Sequence, residues 1–170
     1  MKNRLLKLLF LLIFSCSMLV ACSGQAKELK SFAPSPTAEV GDFFEVDSSN
    51  LIKINSGRIE EDGNRRILII NYSWKNEGGK ADTTFDNFKI TASQSGVSLE
   101  PNLEFVEDKK KLVIPVAIGE TLDNIEQAFI LVSEESVNLS VLGSDPAFIV
   151  DNKPISSYPI KVEININDLK

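Results

Sequence analysis

The stretch Arg65 to Asn76, RRILIINYSWKN, constrains the fold more than any other part of this chain. After Arg66 it places Leu68, Ile70, Tyr72 and Trp74 on one side and Ile67, Ile69, Asn71 and Ser73 on the other. A period of two is that of a β-strand, whose successive side chains point to opposite faces. A sheet with an apolar face must bury it against a second layer. The same period recurs in Ile52 and Ile54, in Phe88, Ile90 and Ala92, in Val97 and Leu99, in Val137, Leu139 and Val141, and in Ile160 to Ile166. In KKKLVIPVAIGE it places Leu112, Ile114, Val116 and Ile118 on one face. Pro115 cannot donate to a ladder, so that strand is expected at a sheet edge or with a bulge. NIEQAFILVSEE reads as helix or strand, and its shortness and the run Ala128 to Val132 favour strand. Seven to nine short strands with turn residues between them, and no convincing helix, predict an all-β, two-sheet antiparallel β-sandwich. Trp74, the only tryptophan, belongs in its core.

The first hairpin can be registered on paper. A two-residue Asp62-Gly63 loop would set Ile59 against Arg66 and Ile54 against Asn71. A three-residue loop, Asp62 to Asn64, sets Ile59 against Ile67, Ile54 against Tyr72, Ile52 against Trp74 and Glu60 against Arg66. The second register matches apolar with apolar and acid with base, and a one-residue slip destroys both. It requires Asn64 to take the left-handed position that Asn tolerates.

The N-terminus carries a different signal. Lys2, Arg4 and Lys7 precede an apolar run, Leu8 to Phe14, and a small-residue exit. This is the pattern of a secretory signal peptide, and the run is short for a membrane-spanning helix, although apolar character resumes at Met18. Leu19-Val20-Ala21-Cys22 resembles the bacterial lipobox. In lipoproteins of that kind the cysteine sulfur takes a diacylglycerol and cleavage falls just before it. Residues 1–21 are thus expected to be a lipoprotein signal peptide. Cys22 would anchor the chain to the extracytoplasmic face of the cell membrane, since two acyl chains anchor stably. Residues 22–42, with Ala33-Pro34-Ser35-Pro36, read as a flexible tether, and 43–170 as the sandwich. The alternative is that the proline-containing segment packs on the domain as an edge strand, docked by Phe32, Phe43 or Phe44.

Composition then excludes chemistries. The chain has 18 basic and 24 acidic residues and no histidine. Lys2, Arg4 and Lys7 leave with the leader, so 15 basic residues remain and the net charge is −9. That argues against nucleic acid and against a polybasic lean onto anionic lipid. Cys16 and both methionines, Met1 and Met18, leave as well. Soft and borderline metals lose their ligands, and triads that need histidine are impossible. No cofactor and no catalytic residue is expected. Acid clusters at Asp42/Glu45/Asp47, Glu60/Glu61/Asp62 and Glu104/Glu107/Asp108 allow calcium chemically, but none matches an EF-hand, and solvated turn acids are commoner. Lys109-Lys110-Lys111 reads as an edge guard. A glycosidase-type carboxylate pair has no support from spacing.

A family resemblance adds to this. A lipobox, a tether and then ILIINYSWKNEGGKADTTFDNFKITASQSGVSLEP resemble a family of uncharacterised lipoproteins from Gram-positive bacteria. The resemblance rests on Tyr72 to Asn76, a Tyr/Phe-x-x-x-Asn pattern, and on Gln94-Ser95-Gly96-Val97-Ser98-Leu99. It covers about a third of the chain and weakens after Pro101, where a glycine-proline turn is only echoed by Ile118-Gly119-Glu120. It implies an immunoglobulin-like, telokin-type sandwich outside the cell and transfers no activity. The functional expectation is a non-catalytic binding module for a protein or a cell-wall polymer, with the Pro115 edge as the first surface to test. A passive structural or assembly accessory of an envelope complex is the alternative.

Overall fold

A computed structural model of the chain describes residues 36–143, 148–150, 153–155 and 159–169. The leader, Leu19, Val20, Ala21, Cys22 and most of the expected tether lie outside the described residues. Two four-stranded antiparallel sheets face each other. The first has the order β1 (Phe43–Asp47), β2 (Asn50–Asp62), β3 (Arg65–Asn76), β6 (Thr121–Ile130). The second has the order β10 (Ile160–Ile164), β7 (Val137–Gly143), β4 (Phe88–Gln94), β5 (Val97–Ser98). Strands β8 (Phe148–Val150) and β9 (Lys153–Ile155) form a separate hairpin. The two-sheet sandwich is the architecture that the period-two pattern demands, and the ambiguous 125–132 segment is strand through Ile130.

Alternating residues of both sheets fill the space between them. Ile52, Ile54, Leu68, Ile70 and Trp74 from the first sheet meet Ile90, Leu139, Val141 and Val162 from the second. Phe88 packs edge-on against both Tyr72 and Trp74, with ring centroids 6.0 and 5.8 Å apart. The outer face of β3 is also buried. Ile67 and Ile69 form a second cluster with Ala128 and Val106, because the chain after β5 crosses to the first sheet and runs along β6. Backbone bonds from Asn102 N to Ala128 O and from Ile130 N to Glu100 O hold this crossing.

The hairpin register differs from the sequence reading in its outer half. Ile52 faces Trp74 and Ile54 faces Tyr72, but Ile59 faces Leu68 and Asp62 faces Arg65. Asn55 is the extra residue of a bulge, and its side chain donates to Asn71 Oδ1 at 2.8 Å and Ser73 Oγ at 3.0 Å. The bulge shifts the pairing by one, so the loop is Gly63-Asn64. Gly63, at φ 60°, takes the left-handed position, and Asn64 does not. Glycine reaches that region without the Cβ penalty.

The Pro115 strand does not form. Lys109–Leu112 is a 3₁₀ turn, capped by the Asp108 side chain on Lys110 N, and the residues after it make only an isolated bridge between Val116 and Asp82. The missing donor of Pro115 and the capped turn before it stop a ladder. The expectation of an edge strand there is therefore corrected. The described chain also begins bonded to the domain. Thr37 bridges Lys161 in parallel, Ala38 N donates to Lys161 O at 2.9 Å, and Lys161 N donates to Pro36 O at 2.9 Å. Pro36 to Ala38 thus covers the free edge of β10, well inside the span expected to be tether.

Candidate functional site

The antiparallel pairings fix which loops share an end of the sandwich. In the second sheet, Phe88 lies opposite Gly143, and Ile160 lies opposite Val141. In the first, Asn50 lies opposite Asn76, and Lys75 lies opposite Thr121. The aromatic contacts of Trp74 with Phe88 align these two ends. One end therefore carries the 47–50 turn, the 77–87 loop with the one-turn helix α1 (Thr84–Asn87), the 113–120 loop and Pro36. The opposite end carries the Gly63-Asn64 and Ser95-Gly96 turns and the 131–136 loop.

Polar side chains brace the α1 end from inside. Asn76 closes β3, and its amide donates to Lys80 O at 2.8 Å and Val116 O at 2.9 Å while its oxygen accepts from Gly78 N. Asp82 and Val116 exchange two backbone bonds. The Thr84 hydroxyl donates to Leu112 O at 2.9 Å and also partners the Tyr72 phenol, whose ionisation burial pushes well above its ordinary range. Below this, Trp74 Nε1 donates to Asn50 Oδ1 at 2.8 Å, and the Asn50 amide donates to both oxygens of buried Asp47. Lys80, 3.0 Å from the Asp82 carboxylate, holds that group below its usual range.

On this braced frame several large apolar side chains face outward. Phe85 is 78% exposed, Val113 61%, Ile118 57% and Ile114 42%. Isolated exposed apolar residues are ordinary, and this set stands out because its members lie on two interlocked loops at one end of the sandwich. The sequence pattern had assigned Ile114 and Ile118 to a strand face and gave no sign of Phe85. The spacing of Phe85 and Phe88 was the available clue. A one-turn helix ending at Asn87 buries one ring and exposes the other.

The remaining candidates resolve into structural roles. Glu126 is buried between Arg58, 2.5 Å away, and the backbone N–H of Glu107, 3.0 Å away. Burial raises its pKa, but the Arg58 hydrogen bond and the Glu107 N–H outweigh it, and the net shift is downward. Glu60 and Glu107 also approach Arg58, at 3.1 and 3.7 Å. The three carboxylates converge on one cation, and for buried Glu126 that pairing favours the ionised form, the opposite of what a general acid needs. Asp62 pairs with Arg65, Asp108 caps Lys110 N, and Asp47 serves Asn50. Among the described residues, no group of three or more metal-ligating side chains comes together. Lys111 donates to the carbonyls of Asp123 and Asn124, at 3.0 and 3.1 Å, while Lys109 and Lys110 stay exposed. At the opposite end, buried Gln94 donates to Ser133 O and Glu135 O and accepts from Val132 N and Ser133 N.

No protein-family model matches the sequence, and no curated protein matches it. Among solved structures, the fold is similar to a "putative lipoprotein" from Staphylococcus aureus, with TM-score 0.54 and 16% identity over 78% of this chain and 94% of that one. It is similar to an uncharacterized β-sandwich protein from Clostridium difficile, with TM-score 0.52 and 13% identity over 76% of this chain and 94% of that one. A "putative lipoprotein" from Bacillus subtilis gives TM-score 0.50 and 13% identity over 73% of this chain, which spans 38% of that longer one. At such identities the likeness is one of architecture, and the chain shares its β-sandwich with proteins of Gram-positive bacteria.

Proposed function

We propose that the chain is a lipoprotein held to the extracytoplasmic face of a bacterial membrane by lipid on Cys22. Its sandwich serves there as a non-catalytic binding module for a protein or a wall polymer. The observation that carries the anchor is Leu19-Val20-Ala21-Cys22 behind a charged start and an apolar run. The likeness in fold to two proteins described as lipoproteins supports it. The non-catalytic reading is supported by the buried polar groups. Asp47, Asn50, Ser73, Asn76, Thr84, Gln94 and Glu126 each bond within the domain, so they are spent on the fold rather than aimed at a substrate. Catalytic groups, in contrast, are held with shifted pKa values and open hydrogen-bonding capacity.

The test is metabolic labelling with a palmitate analogue, followed by membrane fractionation. The native chain should carry label and sediment with membranes, and Cys22→Ser should do neither. Label retained by Cys22→Ser would overturn the anchor. The detergent-solubilised full chain should recover a specific partner from envelope extracts, enriched over a control whose surface loops are scrambled. No enrichment over that control, with lipidation alone mattering, would favour the passive accessory.

A further inference from the structure

Resting on the anchor reading, we infer that the α1 end of the sandwich is a second membrane contact, in which Phe85, Val113, Ile114 and Ile118 seat in the outer surface of the lipid bilayer that holds Cys22. Two independent features point to this occupant. The first is where the chain joins the domain. Pro36 pairs with Lys161, beside the start of β10, and so lies at the same end as α1 and the 113–120 loop. Thirteen residues separate Cys22 from Pro36. Read as the tether expected from sequence, a link of that length would span about 20 Å r.m.s., and an anchor at Cys22 would then hold this end of the domain near the headgroups.

The second feature is the chemistry of that end. Phe85, at 78% exposure, is the most exposed of the large apolar side chains among the described residues. It shares a braced loop pair with Val113 and Ile114 through the Thr84–Leu112 bond and the Asp82–Val116 bridge. Exposed Lys80, Lys109 and Lys110 flank these loops, as do the acids Glu77, Asp86, Asp108 and Glu120. The charges nearly balance, so the attraction is apolar insertion into the interface rather than electrostatic adhesion. That is consistent with an acidic chain that has no reason to lean on anionic lipid by charge alone. The opposite end exposes Val97 and Val132 and serves as the internal comparison.

The mature chain has one cysteine, Cys22, whose sulfur the lipid would occupy, so an introduced thiol can be labelled alone. Phe85→Cys, Ile118→Cys and Val97→Cys are made in the full-length lipoprotein. Each is labelled with an environment-sensitive fluorophore and reconstituted into vesicles of phosphatidylglycerol and phosphatidylcholine carrying spin-labelled lipids. Probes at 85 and 118 should be quenched severalfold more strongly than the probe at 97 and should shift to shorter emission wavelength. Equal quenching at all three positions, or no quenching at 85 and 118 in protein that floats with the vesicles, would overturn the docking alone. Protein that fails to float would overturn the anchor, and this proposal with it.

Discussion

Gly143 ends β7 where a side chain would enter the space occupied by Asp47. A Cβ there would overlap Asp47 Oδ2 and stand 2.8 Å from its Cγ and 3.1 Å from its Cβ. Gly143 does not lie in the left-handed region, so the backbone accepts alanine and the penalty of Gly143→Ala is purely steric. Asp47 cannot swing away cheaply. Its carboxylate accepts two bonds from Asn50 and one from Ser49 N, and Asn50 in turn holds Trp74 Nε1. Overpacking a dense core costs about 1–3 kcal/mol, and each lost bond to a charged group about 1.5–3 kcal/mol. The smaller unfolded-state entropy of alanine returns about 0.4–1 kcal/mol. The expected net loss is about 3 kcal/mol. Urea unfolding followed by Trp74 fluorescence reads it directly, because Trp74 is fully buried and is the only tryptophan. With a slope of about 1.5 kcal/mol/M, the midpoint should fall by about 2 M. Gly79→Ala is the control. No atom lies within 4 Å of its would-be Cβ, so it should be neutral or slightly stabilising. Truncating the clashing side chain with Asp47→Ala should absorb at least about 2 kcal/mol of the Gly143→Ala cost in a double-mutant cycle. A Gly143→Ala midpoint equal to that of Gly79→Ala, or a cost undiminished by Asp47→Ala, would refute this reasoning.

Two further outcomes are expected. Gln94→Ala strands the N–H groups of Val132 and Ser133 and the carbonyls of Ser133 and Glu135. It should cost about 2–4 kcal/mol, and hydrogen exchange at Val132 and Ser133 should accelerate well beyond that in β4; uniform acceleration would argue against a local staple. Glu126 has a folded-state pKa below its unfolded value, so its contribution is fully present above about pH 4.3 and is lost as the pH falls through the folded value. Glu126→Gln should therefore be less stable than the native chain at neutral pH, with the difference shrinking in acid. Stability curves that run parallel at every pH would show that the charge of Glu126 plays no part.

The sandwich was legible because its central strands alternate, and there the structure agrees. Val137, Leu139 and Val141 are buried, as are Phe88, Ile90 and Ala92. The motif positions also acquire physical roles. Tyr72 and Asn76 brace the α1 end, Gln94 staples the opposite one, Gly96 at φ 81° makes the tight turn and Leu99 returns to the core. The bulge at Asn55 was not legible. Cross-strand matching at one end of a hairpin extrapolates a constant register, and nothing in the apolar pattern announces an extra residue whose reward is two hydrogen bonds to β3.

The 112–118 segment shows where periodicity misleads most and where it still carries information. The alternation places Leu112, Ile114, Val116 and Ile118 on one face of a strand. Leu112 and Val116 do turn inward, while Ile114 and Ile118 turn out. With Pro115 breaking the ladder, loop geometry rather than pleat decides which side chain goes where, and Asn76 and Asp82 hold Val116 by its backbone. Those same bonds hold the loop that leaves Ile114 and Ile118 exposed at the same end as Phe85. An apolar side chain on a loose loop can fold back to shield itself, but one on a braced loop remains in water until another surface covers it. The bracing is what keeps these apolar side chains of the α1 end out of the core. On the membrane reading, loosening it by Asn76→Ala should reduce the lipid quenching of the probe introduced by Phe85→Cys although no inserted residue is changed, and unchanged quenching would count against the bracing.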